Sequence, residues 1–517
     1  MCSKFILILL NLHQIVALED ADYWRNSARL EIEESLSHKW NKKTAKNVIV
    51  FVGDGMSIDT ITASRIYHRG ETSYLAWEKL PHVGLIKTYN TNKQVPDSAS
   101  TATALFSGVK TNSQVVGLDS NVGVGDCEGS LDESYHVESV IEWAQRAGKA
   151  TGFVTTTRVT HATPAPLYAH CPNRKWECER EIPTSSKACK DIARQLIEDS
   201  PGTNIRVIMG GGRQMLKSNA TGTKSDPIDT WACYSSDGRD LLSYWKNDKE
   251  ERNLRYKLVQ NNRELRSVDP EEVDYLMGIF ANGHISMDWN RNTGPAGQPS
   301  LEEMTKMAVR VLQKEKKGFL LVVEGGLIDF AHHRGHAAQA LRETVRFSDA
   351  INTTLGLVNV DNTLVIVTSD HSHSLMFNGY SDRGSSILGI SQKSKLDQTP
   401  YTILSYGTGG PNNMAYEVKD GKASRIDPTK INTSDFTYSQ QAAIITDEAY
   451  HGGGDVPIYA IGPFSHLIHS THEQNYVAHV IAYGAKIGPY SNESYTSRES
   501  HIVIILIIAV FTSVLAL

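Results

Sequence analysis

The chain has 517 residues, 40% of them hydrophobic and 21% charged, with 39 glycines and a formal charge of −6 at pH 7. That length accommodates one large domain with insertions, or two to three ordinary ones of roughly 100–200 residues each. So mild a charge, with no basic block, argues against nucleic acid as a partner.

The first stretch, "MCSKFILILLNLHQIVALED", combines Lys4, an apolar run from Phe5 and small residues near Ala17. This is the pattern of a cleaved secretory signal over residues 1–17, the alternative being a buried N-terminal helix. An arm over residues 18–45 with one isolated helix follows. The apolar runs "NVIVFVG" (47–53), "ATGFVTTT" (150–157), "IRVIMGGG" (205–212), "GFLLVVEGG" (318–326), "NTLVIVTSD" (362–370) and "DVPIYAIGP" (455–463) predict strands. Amphipathic stretches at 137–148, 188–199 and 300–318 predict helices between them. Together these predict an α/β fold with a large, mostly parallel central sheet flanked by helices on both faces. Residues 378–450 are rich in Gly, Ser, Thr, Asn and Asp with weak periodicity. They read as a small insertion dividing the α/β domain into 46–377 and 451–490.

At the far end, Asn492 and Ser494 precede a polar spacer and an uncharged apolar run from Ile502 to Leu517. A spanning helix needs ~20 apolar residues, so residues 491–517 match a glycosylphosphatidylinositol attachment signal whose tail is removed. The lipid would sit on Asn492 or Ser494 and hold the protein on the outer face of the cell membrane; a tail-anchored helix is the alternative. Asn219, Asn352, Asn432 and Asn492 begin N-x-[ST] glycosylation sequons. With Cys2 removed, Cys127, Cys171, Cys178, Cys189 and Cys233 remain. In a secreted protein that count implies two disulfides and one free thiol. The chain contains no C-x-x-C pair for a cysteine zinc site.

In open α/β sheets, functional groups collect beyond the carboxyl ends of the strands. There the sequence reads "GDGMS" with Asp54, "EGGLIDFAHHRGH" with Glu324, Asp329 and His333, and "DHSH" with Asp370, His371 and His373. Ahead of the last strand, "DEAYHGGGD" brings Glu448 and His451 to the same rim. Carboxylates gathered so closely repel unless cations neutralise them. Mixed Asp and His ligands suit zinc, and an oxygen-rich subset suits magnesium. "VPDSASTATALFSG" at 95–108 reads by itself as a small-residue helix for close packing. Beside metal ligands it reads differently: Ser98 stands at a helix start, where the dipole and a zinc would favour its alkoxide. The chemistry implied is phosphoryl transfer.

With these residues in view, the chain resembles the alkaline phosphatases. "VGDGMS", "PDSASTATALFSGVK", "TTTRVTHATPAPLYAHCPNR", "VEGGLIDFAHH", "TSDHSHS" and "YHGGGDVPIYAIGP" follow the family's order and spacing from about residue 46 to 490. The signal, the anchor and His161 resemble an animal, membrane-bound form. The resemblance implies hydrolysis of phosphate monoesters through a phosphoserine on Ser98, with two zinc ions and one magnesium per subunit. One zinc would lie on Asp54, Asp370 and His371, the other on Asp329, His333 and His451. Magnesium would lie on Asp54, Thr163 and Glu324, with His161 acting through a water. Arg174 would clamp two phosphate oxygens, which a guanidinium does bidentately, and Asp97 would orient it. His373 and Glu448 would support the site, His332 would point elsewhere, and His336 would be solvated.

The resemblance further implies a homodimer, an arm reaching over the partner, and an insertion forming a "crown" by the active-site entrance. It pairs Cys127 with Cys189 and Cys171 with Cys178, leaving Cys233 over. Ala281 follows Phe280 where many animal members carry an acidic residue for a calcium ion, and Thr163 stands where they often have serine. A sulfatase would need a C/S-x-P-x-R setting that "DSAST" lacks, and a phosphodiesterase would usually carry threonine there and no Arg174. A lipid-anchored surface receptor that merely keeps the fold is the rival of another class, although every catalytic position is filled.

Overall fold

The computed structural model describes residues 19–491, so the signal and the lipid-attachment residues Asn492 and Ser494 lie outside the described residues. The described residues fall into two compact units, 19–40 and 41–491. In the first, α1 (Ala21–Ser37) is capped by Asp20, whose carboxylate accepts from the amides of Asp22 and Tyr23. An Arg29–Glu33 pair one turn apart supports it at 2.6 Å. No residue of this helix is buried.

The second unit is built on ten strands: β1 (Asn47–Gly53), β2 (His82–Lys87), β3 (Ala150–Arg158), β4 (Val207–Gly211), β5 (Tyr256–Val259), β6 (Tyr275–Ile279), β7 (Phe319–Gly325), β8 (Thr363–Ser369), β9 (Val456–Ile461) and β10 (Thr471–Glu473). Their order across the sheet is β10-β2-β9-β8-β1-β7-β3-β4-β6-β5. From β8 to β5 every pairing is parallel. The ninth strand breaks this by running antiparallel to both β8 and β2.

Central strands are apolar on both faces because both faces are covered: Val48, Val50 and Val52 enter one core, Ile49 and Phe51 the other. Among the covering helices is α3 (Leu301–Leu312), opened by a reciprocal Ser300–Glu303 capping box. It buries Leu301, Met304, Ala308, Val309, Val311 and Leu312 against the sheet. Between residues 375 and 445 the chain forms short strands, three of them (Leu375–Phe377, Leu404–Gly409, Ala442–Ile445) in a separate small sheet. The sequon residues Asn219, Asn352 and Asn432 are exposed.

The disulfides are Cys127–Cys189 and Cys178–Cys233, with Cα separations of 5.8 and 5.9 Å. The expected Cys171–Cys178 link is therefore wrong, and the free thiol is Cys171. Cys171 exchanges backbone hydrogen bonds with Val116 in both directions, which fixes its buried thiol in the core. Burial pushes that thiol up to about 12. Cys178 instead precedes a turn whose Glu179 accepts from the amides of Ser236 and Asp237, drawing the Cys233 segment alongside. Removing the second link by Cys233→Ser is expected to cost about 2–4 kcal/mol of stability. Calorimetric unfolding reads this against Cys171→Ser, expected to change stability by no more than about 1 kcal/mol; equal losses would mean that the link contributes nothing special.

Candidate active site

Four strand ends converge on one rim. Strands β1, β7 and β8 deliver Asp54, Glu324 and Asp370 at their carboxyl ends. Because β9 is antiparallel, residues arriving before it, including His451, reach the rim that β8 leaves. The Asp54 turn is tight: Gly55 has φ +65°, and a Cβ there would stand 2.7 Å from Asp329 Oδ1. Only glycine permits that approach.

Helix α4 (Leu327–His333) supplies Asp329 and His333. Its first amides are held by β3, where Thr156 Oγ1 accepts from Gly326 and Leu327. Neighbouring threonines fix Glu324: Thr155 donates to Oε2 at 2.5 Å and Thr157 at 3.2 Å, leaving Oε1 buried without a partner. These three threonines were not singled out from sequence, although "TTTR" at a strand end was the available signal.

Three ligand groups result: Asp54, Asp370 and His371; Asp329, His333 and His451; and Asp54, His161 and Glu324. Thr163 Oγ1 lies 3.4 Å from Asp54 Oδ2 beside the third. His333 Nδ1 donates to Ala449 O at 2.7 Å and His451 Nδ1 to Pro96 O at 2.8 Å. In the neutral rings both Nε2 atoms are thereby left with lone pairs, and they face each other at 3.0 Å. Asp54 Oδ1, Glu324 Oε1 and Asp329 Oδ1 are likewise buried with no hydrogen-bond partner. Such orphaned acceptors fit divalent cations.

Electrostatics agree. Burial, then Asp370, Asp329 and Glu324, raise Asp54 well above the usual carboxylate range. Burial lifts Glu324 to about 7. Burial would lower His333, but Asp329, 3.1 Å away, carries it to about 9.

Helix α2 (Ser98–Ser107) is buried along its whole length, with Asp97 as its cap. Ser98 Oγ stands 3.1 Å from His371 Nε2. Asp97 accepts from Gln114 N and Ser100 Oγ, both at 2.8 Å, and from Arg174 Nη1 at 3.1 Å. Burial would raise Asp97, but Arg174 overcomes this and holds it low. The other Arg174 nitrogen lies 3.3 Å from His161 Nε2.

The remaining histidines divide. His332 turns away to Tyr406 Oη at 2.8 Å and Thr60 Oγ1 at 3.0 Å. His373 Nε2 stands 3.7 Å from Asp329 Oδ1, and Glu448 Oε1 3.5 Å from His333 Nδ1. His336, expected to be solvated, is half-buried, its Nδ1 accepting from Gln339, because it leads into the long helix that follows. Pro96 and Ala449 act through backbone carbonyls, for which sequence carries no side-chain signal.

The alkaline phosphatase family model matches residues 45–487. The tissue-nonspecific isozyme of alkaline phosphatase from Homo sapiens is 42% identical over 484 residues, covering 91% of this chain and 89% of that protein. Alkaline phosphatase 4 of Drosophila melanogaster is 40% identical over 512 residues, covering 93% and 84%. Among solved structures, alkaline phosphatases from Thermus thermophilus (TM-score 0.60, 22% identity, 86% of this chain and 92% of that one) and from the Antarctic bacterium TAB5 (0.58, 23%, 86% and 99%) share the fold.

Proposed function

The chain belongs to the alkaline phosphatase family and hydrolyses phosphate monoesters, and on that premise we propose how its residues divide the work. Ser98 attacks phosphorus and becomes a phosphoserine, which water then cleaves. The observation that carries this reading is the position of Ser98 Oγ, 3.1 Å from a nitrogen of the Asp54–Asp370–His371 group and at the positive end of a buried helix.

Arg174 clamps two oxygens of the transferring phosphoryl group, whose charge spreads over its equatorial oxygens. Asp97 holds one edge of that guanidinium, and Asp97 is itself fixed by Gln114 and Ser100. Asp329, His333 and His451 mark the side from which the alcohol leaves. Asp54, Asp370 and His371 would hold one zinc, Asp329, His333 and His451 the other, and Asp54, Thr163 and Glu324 a magnesium, with His161 behind a water. Such ions would supply Lewis-acid chemistry that favours ionised hydroxyls and stabilises charge on entering and leaving oxygens. Thr155 and Thr157 aim the free Glu324 oxygen into the third site.

Around this centre the proposed protein is a secreted homodimer, with residues 18–45 as an arm over the partner and 378–450 as a crown at the entrance. It would be glycosylated at Asn219, Asn352 and Asn432 and lipid-anchored through Asn492 or Ser494. Among the described residues no helix is long and apolar enough to cross a membrane. Acid quenching during turnover of p-nitrophenyl phosphate, followed by peptide mass spectrometry, is expected to find phosphate on Ser98. Undiminished turnover with phosphate trapped on another residue overturns the assignment.

A further inference from the structure

Helix α4 carries more than its two ligand residues. Phe330 follows Asp329 and Arg334 follows His333, so the 330/334 pair lies on the stripe next to the 329/333 pair. The Arg334 guanidinium carbon stands 4.3 Å from the centre of the Phe330 ring. Phe330 packs on His284, ring centres 4.8 Å apart, and His284 meets His161 edge to face at 5.3 Å. His161 in turn touches Arg174 at 3.3 Å. A continuous wall therefore runs from the phosphate clamp to Arg334, which is exposed.

Direct ion pairs along this wall stop short of Arg334, which Asp229 reaches only through its longer-range field. Among the described residues no carboxylate pairs with Arg334. Asp229 is engaged by Arg158 at 3.1 Å, and Glu448 leans toward His333 at 3.5 Å. Stacking on Phe330 limits the motion of the guanidinium while leaving its N–H edge free. Arg334 is thus an ordered cation next to the ligand His333, its N–H edge free of direct partners, with Asp229 the one carboxylate whose charge reaches it.

We propose that Arg334, held by Phe330, is a specificity-determining residue that favours phosphate monoesters whose alcohol carries a second negative charge. The inference rests on the reading that Asp329, His333 and His451 mark the leaving-group side. A carboxylate or phosphate a few bonds beyond the ester oxygen meets the free guanidinium edge in charge-assisted hydrogen bonds. Because Arg334 is exposed, salt screens the preference.

The test compares 2-carboxyethyl phosphate with n-propyl phosphate, which differ in a terminal carboxylate against a methyl. The wild-type protein is expected to show the higher kcat/KM for the carboxylate ester, and Arg334→Glu to lower that ratio about tenfold. Phe330→Ala is expected to lower it less, and raising salt to 0.5 M to shrink it. Calorimetric binding of 4-phosphonobutanoate against butylphosphonate reads the same contrast without turnover. Identical ratios in wild type and Arg334→Glu, in both measurements, overturn the proposal. The leaving-group reading fails separately, through an undiminished zinc content in Asp329→Asn.

Discussion

Ser98→Ala is expected to lower kcat for p-nitrophenyl phosphate by about 10³-fold or more, the loss found when a covalent nucleophile is removed and the rest of the site remains. That factor corresponds to about 4 kcal/mol of transition-state free energy. The fold should be little affected. Ser98 is 1% exposed, its Oγ lies 3.1 Å from His371 Nε2, and α2 is already built from small residues. Loss of one such hydrogen bond costs about 1 kcal/mol. Inorganic phosphate should still inhibit, because Arg174 and Asp97 are untouched. Steady-state kinetics with phosphate inhibition checks both statements, and full activity in Ser98→Ala would falsify the nucleophile assignment.

Chelation is expected to abolish activity and to destabilise the protein, both restored by zinc with magnesium. Cations that bind only the native state stabilise it by about 4 kcal/mol at a thousandfold excess over Kd. Their removal leaves the Asp54, Asp329 and Glu324 acceptors buried without partners. The metal-free protein should also respond differently to pH. Glu324, raised by burial to about 7, is protonated in the fold at pH values where the unfolded chain is ionised, so its ionisation destabilises as pH rises toward 7. His333, which Asp329 lifts against burial to about 9, contributes stability that is complete below pH 6.5 and lost as pH rises through 9. Buried His451, driven down to about 3 by burial and His371, works oppositely only below pH 6.5. Between pH 7 and 9 the metal-free protein is therefore expected to lose stability with rising pH, while the metal-loaded protein does not. Calorimetry across that window decides it; a metal-free sample, verified by elemental analysis, that retains full activity would sink the metal assignment.

Much of the scaffold was legible because the core strands are buried on both faces. Runs such as "NVIVFVG" and "NTLVIVTSD" are continuous apolar segments for that reason, and their following carboxylates are the ones that converge. Strands β2, β5, β6 and β10 were not legible. β2, β5 and β10 are short or only partly buried, β2 alternating between exposed and buried positions, and carry no continuous apolar run, while β6 is buried throughout but only five residues long. The threonines of β3 were overlooked because their hydroxyls acquire meaning only when β7 brings Glu324 alongside, Thr155 pairing with it in register.

By itself the amino-acid sequence determined the α/β class, the rim on which Asp, Glu and His collect, and the serine at the start of a small-residue helix, since each depends on residue type and local spacing. Only the tertiary structure decided the rest. The antiparallel course of β9 brings His451 to His333 across more than a hundred residues, and the carbonyls of Ala449 and Pro96 set which ring nitrogens face inward. Cys178 finds Cys233 rather than its neighbour Cys171 because a turn aligns two distant segments. Arg334 makes no direct ion pair because Asp229 contacts Arg158 and reaches Arg334 only at longer range, while Glu448 lies toward His333. Strand direction, backbone hydrogen bonds and charge compensation are properties of pairs of segments, which a pattern along one segment does not contain.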